Sequence, residues 1–530
     1  MDRRSFAFAA LLAGAAILPA ASARAAEPAV LNVATGGAFT SLDPHYHNLG
    51  PNNVLADYVF STLTKPDPTY RPMPSLATSW TLVDPTTWEL KLRDGVTFHD
   101  GTPFTADDVV FSFGRIPMVM NSPASFTFAT KPVTRIEVVD AHTIRMHTAS
   151  PMPLLPFILF SPRIVSRKYG EGAVTADYNS MKAAIGTGPY KITSFTVGDR
   201  AVFRRNEAWF EPKPVWETVN YRLIANDAAR SAALQAGDVD AIDAVPSRDV
   251  ARLRTLPAID AVVQPGQRLI YLNLDSGRPQ TPFVTGADGK PLAANPLRDA
   301  RVRKALSLAI NREGIRTQIM DGLSTPTGQL LPEGASGYDP TIKPDPYDPA
   351  QAKRLLAEAG FPDGFGVKLL GPNDRYVNDR AIVEAIAQMW TRIGVRTTVD
   401  TMPAATFFST VFRDEFSVAL TGWSSDTGEA SSSLVQILAS SNPEKGRGTV
   451  FHPTHYANPK VDELVERSME TLDTDAREAL YRQATELGIA DTAVIPIHLQ
   501  MSVRAFRKGL TYRKEALEGL RAVNVEPTDR

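Results

Sequence analysis

Two aspartate tripeptides and two histidine pairs are the residues of this sequence whose types and spacing suit chemistry. Asp275-Ser276-Gly277 and Asp426-Thr427-Gly428 both spell the D-[ST]-G of aspartic proteases, in which two carboxylates share one proton. His45 with His47, and His452 with His455, are spaced so that each pair can bite one metal ion. Neither reading carries far. So short a tripeptide is weak in a chain of 530 residues, and the rest of the chain does not read as two duplicated all-β lobes, so Asp275 reads as a turn residue. No H-E-x-x-H accompanies the histidines, which lie in Pro- and Asn-rich stretches and read as exposed loop residues. Nucleophile elbows, Walker loops and dinucleotide fingerprints are absent. Gly186-Thr187-Gly188-Pro189-Tyr190 leads into a strand, so it lacks the helix N-terminus of a phosphate cradle. These residues imply no enzyme, no catalytic residue, no cofactor and no metal.

Composition narrows the class further. The absence of cysteine excludes disulfide frameworks, thiolate metal sites and an acylated N-terminal cysteine. With 56 basic and 58 acidic residues and no like-charge run, nothing attracts nucleic acid or an anionic membrane. The length implies more than one domain, and the 41 dispersed prolines imply many rigid turns. Arg3 and Arg4 precede an uncharged run over residues 6–18, then Pro19 and Ala23-Arg24-Ala25. That run is shorter than the roughly 20 residues that span a bilayer, so residues 1–25 read as a cleavable secretory signal, and Arg3-Arg4-Ser5-Phe6 also resembles a twin-arginine motif. Its removal takes the net charge from −2 to −4. Residues 151–160 are apolar but interrupted by Pro151, Pro153 and Pro156, which predicts a buried, turn-rich segment in place of a span.

The elements follow from periodicity. Trp88, Leu90 and Leu92 alternate with charged residues before Asp94-Gly95, the pattern of a half-buried strand. Residues 136–139 and 143–147 predict an antiparallel pair. Thr105 and Asp108 form a capping box for a short helix with Val109, Val110 and Phe113 inward. From residue 226 the texture changes: Asn226 caps a helix with Ala229, Ala233 and Leu234 inward, closed by Gly237, and residues 238–245 predict a short strand. Asp348-Pro349 and Asn458-Pro459 open further helices. Residues 380–393 place Ile382, Val383, Ile386, Met389, Trp390 and Ile393 at helical spacing up to Gly394, and strands follow at 395–399 and 416–423. A strand-rich N-terminal half followed by strand–helix alternation predicts two different lobes.

Several collinear stretches resemble the family 5 extracellular solute-binding proteins of ABC importers, the dipeptide, oligopeptide and nickel group. They are Thr40-Ser41-Leu42-Asp43-Pro44, Leu76-Ala77-Thr78-Ser79-Trp80, the run from Leu92 to Val109, the Gly186 to Tyr190 element, Asn206-Glu207-Ala208-Trp209-Phe210, Leu234 to Asp240 and Val302 to Arg312. The resemblance implies an α/β fold, a two-lobed periplasmic binding protein of the type II clamp, with an extra strand-rich subdomain in the first lobe. By resemblance, residues 26–44, 186–268 and 498–530 form the first lobe, 45–185 its subdomain and 269–497 the second lobe, with crossings near 268–275 and 494–500. The implied partners are a small solute, most simply a short peptide, and the permease and ATPase subunits of an importer. The implied location is the periplasm and the implied state a monomer.

Site residues follow the same resemblance. Asp426, after Trp423 in Gly422-Trp423-Ser424-Ser425-Asp426-Thr427-Gly428, matches the aspartate that takes the α-ammonium of a peptide, although Glu429-Ala430 stands where relatives often have D-P. An ordinary aspartate titrates at about 3.9 and is ionised at neutral pH. Arg375 and Arg380 match the arginine that forks the ligand carboxylate. Trp423 is expected to line the cleft, with Tyr46 and His47 as candidates on the opposite wall. In the same fold the runner-up ligand is an opine, an oligosaccharide or chelated nickel; the rival of another class is a secreted aspartic-type hydrolase.

Overall fold

In the computed structural model, residues 29–425, 427–442, 444, 447–448, 454–515 and 517–528 are described; the secretory signal expected at residues 1–25, Asp426 and His452 lie outside them. The first of two large sheets has seven strands in the order Tyr190–Thr196, Arg200–Arg205, Thr218–Leu223, Val30–Thr35, Ala241–Ile242, Ser502–Arg507 and Ile259–Gln264. Val30–Thr35 runs parallel to both neighbours. A central parallel strand is covered on both faces: Leu31 and Val33 pack in one core, Ala34 in another.

The second sheet runs Val284–Thr285, Gly366–Pro372, Val418–Trp423, Leu269–Leu274, Val494–Gln500, Ser324–Pro326, with Arg396–Met402 parallel to Gly366–Pro372. The helix Asp379–Arg392 lays Ile382, Val383, Ile386 and Trp390 into one core. Helices Pro459–Glu470 and Thr474–Ala490 contribute to another. A four-stranded antiparallel sheet, Ala77–Asp84, Thr87–Leu92, Thr143–Thr148 and Val133–Asp140, has its own core around Leu90, Phe98, Phe104 and Ile144. The fold is therefore α/β with two lobes, each on one large sheet, and an added strand-rich unit. Among the described residues, no helix is long and apolar enough to cross a membrane.

The chain passes from the first sheet to the second over residues 265–268 and returns at Met501. The two crossings lie side by side. The Gln500 N–H donates to the Arg268 carbonyl at 2.9 Å, and Gly266 approaches so closely that a Cβ there would fall 2.1 Å from the Gln500 carbonyl oxygen. Only glycine fits that approach.

Four expectations need correction. Val110 is exposed, because one residue on a helix turns about 100° and Val109 and Phe113 already face the core. Ala229 is likewise exposed, and Arg230 is buried instead. Its guanidinium donates to the carbonyls of Ile224, Asp243 and Ala244 at 2.7, 3.2 and 2.6 Å; that demand bends the following segment, so the expected strand shrinks to Ala241–Ile242. The histidines are not uniformly exposed either. His45 is fully buried, its Nε2–H donating to the Arg163 carbonyl at 2.8 Å and its Nδ1 accepting from Arg115 at 3.1 Å. Burial and the Arg115 charge push its pKa down to about 4, so it is a neutral structural imidazole.

Asp275 does more than turn the chain. It is buried, and besides accepting the Arg278 N–H at 3.4 Å it takes Arg278 Nε at 2.6 Å. His455 bridges it to Asp414, with Nδ1 3.3 Å from Asp275 Oδ1 and Nε2 3.4 Å from Asp414 Oδ1. The Asp275 contact raises the His455 pKa against the opposing effects of burial and Arg278. A raised folded-state pKa stabilises below the unfolded value of about 6.5, and the benefit fades as pH rises through the folded value. His455→Gln is therefore expected to lower the unfolding midpoint at pH 5.5 and to matter little at pH 8.5. The effect is roughly 0.2–1 kcal/mol, because the His455 side of the pair is about one-third exposed; equal effects at both pH values in calorimetry would contradict it. Among the described residues, no three His, Asp or Glu side chains are grouped to hold a metal.

Candidate ligand-binding cleft

The turn before the Asp379–Arg392 helix sets one wall. Asp379 Oδ2 accepts the backbone N–H groups of Arg375 and Tyr376, both at 3.0 Å, which fixes the turn and leaves the Arg375 side chain free of it. The Arg375 guanidinium lies 5.6 Å from the centroid of the Tyr376 ring, and among the described residues no carboxylate lies within ion-pair distance. Arg375 is exposed, yet desolvation first and the Arg268 charge second lower its pKa. Exposure combined with desolvation describes a group in a concave wall.

Arg268 belongs to the first crossing. Its Nη2 donates to Glu518 Oε2 at 2.7 Å, and Ser424 Oγ donates to Glu518 Oε1 at 3.2 Å. Glu518 belongs to the segment after the return crossing, and Ser424 follows the Val418–Trp423 strand of the second sheet. One carboxylate therefore spans crossing and lobe. Burial acts to raise the Glu518 pKa, but Arg268, Ser424 and Arg375 together hold it below the ordinary value.

Trp423 ends that strand half-buried, and its Nε1 is buried with no hydrogen-bond partner among the described residues. A buried donor left unpaired costs about 1–3 kcal/mol, so an acceptor arriving in the cleft would recover it. Gln267 Oε1, at the first crossing, is in the same condition.

Opposite stands Tyr70, at the tip between strands Thr64–Pro66 and Pro72–Pro74. Asp67 Oδ1 accepts from the Thr69 N–H, the Thr69 hydroxyl and the Arg71 N–H at 2.7, 2.7 and 2.9 Å, holding Tyr70 at φ 64°. Gly428 of the second lobe, at φ 69°, presses on its ring; a Cβ there would fall 2.0 to 2.1 Å from Tyr70 Cγ, Cβ and Cδ1. The lobes meet at this glycine.

The structure sorts the expected site residues. Arg375 and Trp423 sit where described. Arg380 instead pairs with Glu384 at 2.8 Å on the outer face of its helix, with 67% of its side chain exposed, and is a solvated helix-start arginine. Tyr46 and His47 have these partners within the first lobe: the Tyr46 main-chain carbonyl accepts from Ser122 Oγ at 2.6 Å, and His47 Nδ1 lies 3.1 Å from Thr40 Oγ1. Asp426 lies outside the described residues. Arg268, Glu518, Tyr70 and Gln267 escaped the sequence reading, since nothing local distinguishes them from surface polar residues.

The model of the bacterial extracellular solute-binding proteins, family 5 Middle, matches residues 71–445. The chain belongs to the family 5 solute-binding proteins. A curated relative, the glutathione-binding protein GsiB of Shigella flexneri serotype 5b, is 29% identical over 513 residues, covering 94% of each chain. Among solved structures, the dipeptide-binding protein of Pseudoalteromonas sp. SM9913 in complex with Met-Leu superposes with a TM-score of 0.78 at 21% identity, over 94% of this chain and 100% of that one. DppA of Helicobacter pylori in complex with the peptide STSA gives a TM-score of 0.77 at 24% identity, over 94% and 98%. These solved structures share the two-lobed fold. In a family 5 protein the D-[ST]-G and histidine patterns need no catalytic reading, and Asp43 of the Thr40 to Pro44 stretch is structural: it is buried in a pair with Arg115 at 2.7 Å.

Proposed function

We propose that this family 5 protein captures a short peptide or peptide-like zwitterion between its lobes and delivers it to the permease and ATPase subunits of an ABC importer. Exported and freed of residues 1–25, it acts as a monomer in the periplasm. Residues 26–44, 186–268 and 498–530 form one jaw, with 45–185 as its subdomain, and 269–497 form the other. The observation that carries the ligand class is Arg375: an exposed guanidinium with no carboxylate partner among the described residues, desolvated and repelled by Arg268. A carboxylate relieves both costs and matches the guanidinium fork. Asp426 takes the ammonium at the other end, and Trp423 packs along the middle. The glutathione-binding relative supports a peptide-like ligand. Because the ligand touches both jaws, it favours the closed form by its differential affinity.

Mass spectrometry of ligands that co-purify with the protein tests the class, followed by calorimetry with glutathione and Met-Leu. Asp426→Ala is expected to weaken a free-amine peptide more than tenfold, leaving the thermal midpoint in place; unchanged affinity removes the amine-binding role.

A further inference from the structure

Asn378 stands at the N-cap of the Asp379–Arg392 helix, at φ 56°. An asparagine there ordinarily accepts an N–H of the first helical turn. Among the described residues this one caps nothing and sends its amide outward instead. Its Nδ2 donates to the Ile319 carbonyl at 2.6 Å and to Ser247 Oγ at 2.9 Å, which uses both hydrogens. Ser247 opens the helix Ser247–Arg254, whose Val250 and Leu253 share a core with Ala34 and Val503 of the first sheet, so the second bond crosses between the lobes. Ser247 is buried, and its hydroxyl donates in turn to Asp321 Oδ2 of the second lobe at 2.8 Å. Two residues on, Leu323 packs against that same first-lobe core, and its carbonyl accepts the Met501 N–H at 3.3 Å. One serine side chain of the first lobe therefore holds two segments of the second.

One of those segments is the turn that presents Arg375. Asp379, next after Asn378, takes the Arg375 and Tyr376 N–H groups, and the Val377 N–H donates to Gln500 Oε1 at 3.2 Å. We infer that Asn378, held by Ser247 across the lobes, is a positioning residue for the carboxylate end of the cleft: the pair acts through Arg375 by fixing its turn when the lobes are together. This rests on the peptide reading above. A guanidinium fork makes two parallel bonds only when the backbone that carries it is held in place. The side-chain bonds of Asn378 supply that hold from outside the turn, and one of them exists only while the first lobe is in contact.

Calorimetry of wild type, Ser247→Ala, Ser247→Thr, Asn378→Gly and the Ser247→Ala/Asn378→Gly double variant, each with Met-Leu and its C-terminal amide, tests it. Glycine accepts the positive φ of residue 378, so Asn378→Gly removes the side-chain bonds without straining the backbone. Each of Ser247→Ala and Asn378→Gly is expected to weaken Met-Leu by roughly five- to tenfold, the worth of about one hydrogen bond, and to leave the amide unchanged. Ser247→Thr, which keeps the hydroxyl, should bind as wild type does. The double variant should lose less than the product of the two single losses, because both remove the same bond. Unchanged affinity in both single variants overturns the proposal, as does a loss shared equally by Met-Leu and its amide, which is a merely structural effect. If neither peptide nor glutathione binds wild type, the peptide reading fails; hydrogen exchange of the ligand-free protein then decides the positioning role independently. Ser247→Ala and Asn378→Gly should each speed exchange at the Arg375 and Tyr376 amides by about tenfold, and unchanged protection overturns it.

Discussion

Arg375→Ala is expected to weaken a peptide with a free C-terminal carboxylate by roughly ten- to a hundredfold, the equivalent of about 1.5–3 kcal/mol for a charge-assisted bond. The C-terminal amide of the same peptide should bind wild type and variant alike. Arg375→Lys should recover only part of the loss, because an ammonium cannot make two parallel bonds to one carboxylate. Arg380→Ala serves as the control: its guanidinium is engaged by Glu384 on the outer face of the helix, so affinity should not move. Calorimetry with Met-Leu and its amide reads all four. A loss at Arg380 with none at Arg375 would reverse the assignment.

The second large effect concerns the ground beneath the cleft. Arg521 is buried and donates through Nε to Asp57 Oδ2 at 2.9 Å, with Nη2 at 2.8 Å from the same oxygen, and through Nη1 to the Glu518 carbonyl at 2.9 Å. Arg163 holds the other Asp57 oxygen at 2.8 Å. Glu515 lies 3.4 Å from Arg521 and 3.7 Å from Arg504. Truncating one member of a buried charge cluster leaves its partners desolvated and underpaired, a cost of about 3–5 kcal/mol. Arg521→Ala is therefore expected to lower the denaturant midpoint of the first lobe by that equivalent. It should also loosen Glu518, whose carbonyl Arg521 holds and whose carboxylate reaches Arg268 and Ser424. An unchanged midpoint would show that the cluster is solvated.

Much of the fold was legible because its rules are local. The capping box at Thr105 and Asp108, the Asn226 cap, the prolines at 349 and 459 and the terminal glycines at 237 and 394 act within a few residues, and the structure has the helices that they punctuate. The misreadings at Val110 and Ala229 have one cause. Apolar spacing identifies a helix reliably but its inward stripe only to within about one position, and at Arg230 a guanidinium satisfying four loop carbonyls outcompetes an apolar neighbour for the interior.

The site was less legible for a different reason. Arg375 and Arg380 are equivalent as sequence, five residues apart at one helix start, and both fit the resemblance. Helix geometry separates them: Arg380 has a partner one turn on, and Arg375 lies in the turn that Asp379 folds against the other lobe. Arg268 and Glu518 are 250 positions apart, and their 2.7 Å contact exists only because the two crossings run together.

By itself the sequence determined the element types, the absence of cysteine chemistry and membership in a solute-binding family, since composition, periodicity and collinear motifs are all carried along one strand of information. Only the tertiary structure decided that Asp43 and His45 are buried supports, that Tyr70 and Gly428 form a contact between the lobes, and that Arg375 stands open in the wall. Burial and charge pairing depend on which distant segments pack together, and no local pattern contains that.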